Sequence, residues 1–221
     1  MTDPSPSGFE RGYYDTVYPN YERQNPPRKM AFYRSLVESV APQSSTPRIL
    51  DVGCAFGRFL SFVNPSWQRY GLDVSNFAIE KARTAVSGAS FRVSSGTEIP
   101  FDGPFDIITA FDVIEHIPSL DDVATMVKRK LTPGGHFVFV VPVYDGPTGP
   151  IIRLLDKDTT HVHKDSREFW LNWTKSNFYL IDWWGVYRYL LTRTYYAHIP
   201  TKSFRRFTPA IAITARNKQD T

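Results

Sequence analysis

Hydrophobic positions along this chain switch between two periods. Short apolar runs at strand length alternate with stretches where apolar residues return every three or four positions, the spacing of one helix face. After Pro26-Pro27, the residues Met30, Tyr33, Leu36, Val37 and Val40 fall on one such face. Pro42 and the Ser44-Ser45-Thr46-Pro47 cluster end that helix. Ile49 to Gly53 reads as a buried strand and Gly57 to Phe62 as the helix after it. Tyr70 to Asp73 is a second strand. Ser75 is placed to cap a helix from Asn76 to about Val86, with Phe77, Ala78, Ala82 and Ala85 inward. Phe91-Arg92-Val93 is a weaker third strand, and Phe105 to Phe111 a fourth. Ser119-x-x-Asp122 has the form of a capping box, followed by an inner stripe of Leu120, Val123, Val127 and Leu131. Thr132-Pro133-Gly134-Gly135 stops this helix, and His136 to Val143 is a fifth strand, apolar at nearly every position. Continuous apolar strands are buried on both faces, as in a parallel sheet covered by helices. The alternation of strand and helix predicts an α/β, doubly wound fold.

Beyond Pro142 the pattern loosens. Residues 144–165 read as a loop, 166–175 as a helix, and 178–184 and 209–215 as strands. An aromatic-rich insert lies at about 186–206. The expected organisation is a flexible N-terminal segment or flap (1–27), one domain (28–216) and a short tail (217–221). Composition supports this: 42% of the 221 residues are apolar and 22% charged, ordinary values for a globular protein. The strongest apolar run, Phe137 to Val143, is far shorter than the roughly 20 residues of a membrane helix. The start, MTDPSPSGFERG, lacks the basic-then-apolar order of a secretory signal. A single cysteine, Cys54, excludes a disulfide framework and a cysteine-based zinc site. The expectation is a soluble, cytoplasmic protein. Net charge is +4 but unevenly spread: residues 151–221 carry twelve Lys and Arg against six Asp and Glu. A basic C-terminal third attracts anionic partners or is simply a solvated face.

The candidate chemistry starts at Ile49-Leu50-Asp51-Val52-Gly53-Cys54-Ala55-Phe56-Gly57. A glycine turn between a buried strand and a helix lets a ligand approach the backbone, and the free N–H groups of the helix start receive it. Asp73 falls 20 residues after Gly53, at the end of the second strand. A carboxylate there can accept hydrogen bonds from ribose hydroxyls. The loop is Gly53-x-x-x-Gly57 rather than the G-x-G-x-x-G of dinucleotide binders. Asp51 beneath it opposes a pyrophosphate and favours a cationic ligand.

Together these motifs resemble a class I S-adenosylmethionine-dependent methyltransferase. The resemblance rests on the glycine loop, Gly71-Leu72-Asp73-Val74-Ser75, Pro104-Phe105-Asp106-Ile107-Ile108 and Leu131-Thr132-Pro133-Gly134-Gly135. Phe111-Asp112-Val113-Ile114-Glu115-His116 resembles the loop after the fourth strand in small-molecule and sugar-modifying members. The resemblance implies a Rossmann-like sheet of seven strands, mostly parallel with an antiparallel last strand, and S-adenosylmethionine as cofactor, leaving S-adenosylhomocysteine as product. It implies that Asp51, Gly53, Cys54, Ala55, Phe56 and Gly57 wrap the methionine part, with Asp73, Val74 and Ser75 at the ribose and adenine. Ser95, Gly96, Thr97 and Phe111 complete the expected cofactor site, with Ser95 where many members carry an aspartate.

For catalysis the candidates are His116, His161 and His163. Asp112, Glu115 and His116 can be read instead as metal ligands, although no metal is expected. Cys54 reads as packing, since direct transfer needs no covalent step. The aromatic insert, with Trp183, Trp184, Tyr187, Tyr189, Tyr195 and Tyr196, suits a lid, a stacking wall, an oligomer contact, a membrane-surface patch or plain core packing. Tyr13, Tyr14 and Tyr18 are candidates for a flap over the cofactor. The expected acceptor is a small molecule or a glycan-like compound, methylated at oxygen. Nucleic acid is not expected, because the position after the fourth strand lacks the Asn/Asp-Pro-Pro-aromatic pattern of base amino methylation. The alternatives are a cofactor-binding module that regulates a partner and a nicotinamide-dependent oxidoreductase on the same sheet.

Overall fold

The computed structural model describes residues 9–17, 19–43, 46–146, 149–155, 158–192 and 195–218. Tyr18, Ser44, Ser45, the first eight residues and 219–221 lie outside them, as do the side chains of Tyr189 and Tyr195. Eight strands form one sheet: β1 (Arg48–Val52), β2 (Gln68–Asp73), β3 (Ala89–Val93), β4 (Phe105–Phe111), β5 (Leu131–Pro142), β6 (Tyr179–Thr192), β7 (Tyr195–Thr201) and β8 (Ala210–Arg216). Their order is β3-β2-β1-β4-β5-β8-β6-β7. The first five pair in parallel, whereas β8 runs antiparallel to both β5 and β6, and β7 antiparallel to β6.

The sheet has one strand more than the seven expected, although its last strand is antiparallel as expected. The residues read as an aromatic insert are a β-hairpin. Strand β6 does not stop at Trp184; it runs on to Thr192 and returns as β7, with Val186 opposite Pro200 and Arg188 opposite His198. Aromatic and β-branched residues favour a pleated ribbon, and Gly185, just past the expected strand end, stays in the ladder opposite Ile211. Its α-carbon needs to be bare: a Cβ there would lie 2.4 Å from the Arg205 backbone.

Helices cover both faces. They are α1 (Arg11–Val17), α2 (Tyr21–Gln24), α3 (Pro27–Glu38), α4 (Arg58–Phe62), α5 (Asn76–Ala85), α6 (Leu120–Lys130), α7 (Gly149–Leu155) and α8 (Arg167–Asn177). The segment 144–165, read as all loop, contains α7. Serines cap three of these helices, with Ser75, Ser119 and Ser166 accepting the N–H of Ala78, Asp122 and Phe169. Side chains alternate across each strand, so Leu50 and Val52 join a core with α6 and α8, while Ile49 joins one with α3, α4 and α5. Two buried cores on opposite faces are what doubly wound means physically. No helix among the described residues is long and apolar enough to cross a membrane.

Candidate active site

Strands β1, β2 and β4 all point their carboxyl ends at one cavity of about 740 Å³. In an open parallel sheet this is the end where helix N-termini and loops leave room for a ligand. Gly53 turns the chain at φ +69°, and an added Cβ would meet Val113 at 2.3 Å. The turn is locked by Cys54 N–H to Leu72 O (2.9 Å) and Gly57 N–H to Cys54 O (2.8 Å). Asp51 is buried beneath it and accepts the Thr109 hydroxyl at 2.7 Å. At the end of β2, Asp73 accepts the N–H of Ala55 on one oxygen and that of Ser75 on the other, both at 2.9 Å. Each carboxylate oxygen keeps further acceptor capacity for a ligand hydroxyl. Burial raises Asp51 to about 7, against the pull of Thr109. It raises Asp73 to about 6, against the pull of the two N–H groups.

Of the residues expected at the cofactor, Asp51, Gly53, Cys54, Ala55, Asp73, Val74, Ser95, Gly96, Thr97 and Phe111 line the cavity. Phe56, Gly57 and Ser75 do not. Phe56 turns outward, 4.7 Å from the ring of Tyr14 and 4.3 Å from that of Tyr21. Gly57 starts α4 in the left-handed region, close against Val86 and Ala82. Ser75 caps α5. Tyr13, Tyr14 and Tyr21 also line the cavity, so α1 and α2 pack over it.

The three histidines gather where the chain leaves β4 and β5. His116 lies on a short 3-10 turn and lines the cavity. Its Nδ1 is 2.9 Å from the Thr160 hydroxyl. That hydroxyl donates to Asp158. A hydroxyl has one proton, so Thr160 accepts from His116, which selects the Nδ1–H tautomer and leaves Nε2 unprotonated. Burial, then His161, lowers His116 to about 4, so the ring is neutral at physiological pH. His161 lies behind it, 4.6 Å away ring to ring, with Nδ1 at 2.9 Å from the Tyr144 hydroxyl. His163 lines the cavity, but its Nε2 is 3.0 Å from the Ile117 carbonyl and its Nδ1 3.4 Å from Asp165. The Glu115 carbonyl accepts the N–H groups of Val162 and His163, tying the two loops together. Its carboxyl is buried with no hydrogen-bond partner, and burial, then Asp112, pushes its pKa well up.

Asp112, in the left-handed region at φ +60°, goes elsewhere. It pairs with Arg188 of β6 and, at 3.6 Å, with Lys29 of α3. Burial pushes its carboxyl up, but Arg188 and then Lys29 bring it down to about 2. Lys29, Tyr33, Thr160, Asp158 and Arg188 did not stand out in the sequence. Lys29 and Tyr33 do share a helix face at i, i+4, but beside an apolar stripe that spacing reads as ordinary packing. Asp158 and Thr160 meet His116 across 40-odd residues, which no local pattern reveals.

A parallel sheet with a glycine turn after its first strand and an acid closing its second defines a nucleoside-cofactor protein of the class I methyltransferase type. A family model described as a methyltransferase domain matches residues 21–201. The chain belongs to this methyltransferase family, whose cofactor is S-adenosylmethionine. It is 29% identical over 153 residues to a fatty-acid O-methyltransferase of Mycolicibacterium smegmatis, covering 60% of this chain and 56% of the relative. It is 27% identical over 116 residues to a ubiquinone biosynthesis O-methyltransferase of Ralstonia nicotianae, covering 47% and 46%. The matches span from a quarter to just over half the length of the first curated relatives. The fold is shared with a solved methyltransferase of Thermotoga maritima, described as a possible histamine N-methyltransferase, at a TM-score of 0.66 and 15% identity, over 94% of this chain and 99% of that one. The residues present fit the cofactor. Bare Gly53 admits a close approach, two buried carboxylates suit a cation and ribose hydroxyls, and the volume suits a nucleoside-sized ligand.

Proposed function

We propose that the protein transfers a methyl group to an oxygen of a small-molecule or glycan-like acceptor, with His116 as the base. The observation that carries this is the Asp158–Thr160–His116 chain, which presents an unprotonated Nε2 from a residue that lines the cavity. Bound S-adenosylmethionine supplies a methyl group on a sulfonium, which leaves readily. Gly53, Cys54, Ala55 and Asp51 hold the methionine part. Asp73 takes the ribose hydroxyls, Val74 packs on the adenine, and Ser95 to Thr97 line its edge. His116 receives the acceptor's hydroxyl proton at Nε2. His161 and His163 position the loops rather than touch the acceptor, since their rings are engaged with Tyr144 and with Ile117 and Asp165. The remaining chemistry is proximity and alignment. The two O-methyltransferase relatives support oxygen as the acceptor atom. We place the activity in the cytoplasm, in keeping with a chain that holds a single, buried cysteine.

Labelled methyl transfer to paired hydroxyl and amine acceptors tests this. The expected product is the methyl ether, and Thr160→Val lowers kcat about tenfold or more while S-adenosylhomocysteine affinity stays unchanged. Methylation of the amines instead, or an unaltered kcat in Thr160→Val, contradicts it.

A second reading has one specific observation behind it. Both Glu115 carboxyl oxygens lack a partner, and ligand atoms of Glu115, His116 and His161 lie within 4.8 Å of one another. A divalent cation there would satisfy the carboxylate and use imidazole nitrogens as ligands. Asp112 is not part of that set, because Lys29 and Arg188 hold it. Activity that survives dialysis against EDTA favours the base; activity lost and restored by a divalent metal favours the cation.

A further inference from the structure

Where α3, the end of β4 and the β6–β7 hairpin meet, the charges do not balance. Lys29 and Arg188 face a single ionised partner, Asp112. Lys29 is only 7% exposed, yet it lines the cavity. Beside it, the Tyr33 hydroxyl has no hydrogen-bond partner although Tyr33 is 1% exposed. His198 of β7, 5.7 Å from the Tyr33 ring, is 4% exposed, and neither of its nitrogens has a partner. Burial, then Lys29 and Arg188, keeps His198 neutral, with a pKa of about 3.

Such a cluster is costly as it stands. A buried donor without a partner has lost its bonds to water with nothing in return, and here two cations share one carboxylate. Lys29 shares Asp112 with Arg188 and donates to Asn25 at 3.1 Å, so an anion from the cavity would give it a counter-ion of its own and the Tyr33 hydroxyl an acceptor. Beside this polar end the cavity wall is apolar: Phe111 stacks on Tyr33 at 4.1 Å, Phe59 packs on Phe111 at 4.8 Å, and Met30 belongs to the same cluster. We propose that the acceptor is an organic acid with a hydrophobic body, whose carboxylate docks on Lys29 and Tyr33 with Arg188 behind them. The carboxylate is an anchor, set by α3 and by the hairpin that supplies the eighth strand. This inference rests on the methyltransferase reading and narrows its acceptor.

The same cations could take the carboxylate of the cofactor's methionine part, and the test separates the two sources. Decanoate and methyl decanoate serve as probes, titrated into the full chain saturated with S-adenosylhomocysteine. Wild-type protein binds decanoate about tenfold tighter than the ester or better. Lys29→Met abolishes that preference, and Tyr33→Phe, which removes one oxygen and no packing, reduces it. In both variants S-adenosylhomocysteine binds as in wild type, which also shows that the fold is intact. Two results overturn the proposal. One is equal binding of acid and ester by wild-type protein. The other is a Lys29→Met variant that loses affinity for S-adenosylhomocysteine but not for 5′-methylthioadenosine, which lacks the amino-acid part; the anion is then the cofactor's own. The wild-type affinity for S-adenosylhomocysteine reads the cofactor assignment separately from the acid-over-ester preference.

Discussion

Asp51 and Asp73 carry opposite demands: burial favours their neutral forms, while a cationic ligand and ribose hydroxyls favour the charged ones. Their folded values, about 7 and about 6, lie above the ordinary carboxylate value of about 3.9. At these two groups the folded state therefore holds more protons than the unfolded chain between about pH 4 and pH 7, and their contribution to stability falls as pH rises through that window. The melting temperature of the ligand-free protein relative to that of Asp51→Asn, which isolates this group, should drop from pH 5 to pH 8. Affinity for S-adenosylmethionine should move the other way and rise over the same range, because the cation binds the ionised carboxylates. A difference in melting temperature that does not change with pH, together with a pH-independent affinity, would count against this electrostatic picture. Both carboxylates were legible in the sequence, since a fixed offset from a glycine turn reports a backbone geometry. Lys29 and Asp158 were not, because their roles come from partners on distant elements, Asp112 and Arg188 for one, Thr160 and His116 for the other.

Among the elements, α1 lies within residues 1–27, which read as a flexible segment or a flap. It is docked through Glu10 just before it and Tyr14 within it. Glu10, just before it, accepts the N–H groups of Asn76 and Phe77 at the start of α5, at 3.1 and 3.3 Å. Tyr14 is buried against Phe56. A carboxylate at a helix N-terminus contributes about 0.3–1 kcal/mol. We expect Glu10→Ala to speed S-adenosylhomocysteine dissociation about two- to fivefold, measured by stopped flow. An unchanged off-rate would mean that α1 does not gate the site. The hairpin β6–β7 teaches a related lesson. Its run of Trp, Tyr and Val is strand-like at short range, but the sequence does not say that the same strand pairs first with β8 and then with β7. Nor does it show that Trp183 and Trp184 serve opposite faces, with Arg205 stacked 4.0 Å from one and Lys202 4.5 Å from the other. The basic surplus of the C-terminal third is in part spent on its own tryptophans. The core strands were easier, because β1, β4 and β5 are buried on both faces and a continuous apolar run signals that directly.

At the scale of the whole molecule, one cavity draws on both halves of the chain. The glycine turn, Asp73 and the residues after β3 line it together with α3, the loop after β4 and the post-β5 loop; in the proposed function the first group is the cofactor side and the second the acceptor side. The central claim is that the first of these sides binds S-adenosylmethionine through Asp73. Isothermal titration of S-adenosylhomocysteine into wild-type protein and Asp73→Ala tests it most directly, with a nicotinamide dinucleotide as control. The account predicts one site in wild-type protein, no binding of the dinucleotide, and a loss of about ten- to a hundredfold in the variant, the worth of hydrogen bonds to a charged group. No binding to wild-type protein at millimolar ligand, or equal affinity in Asp73→Ala, would contradict it.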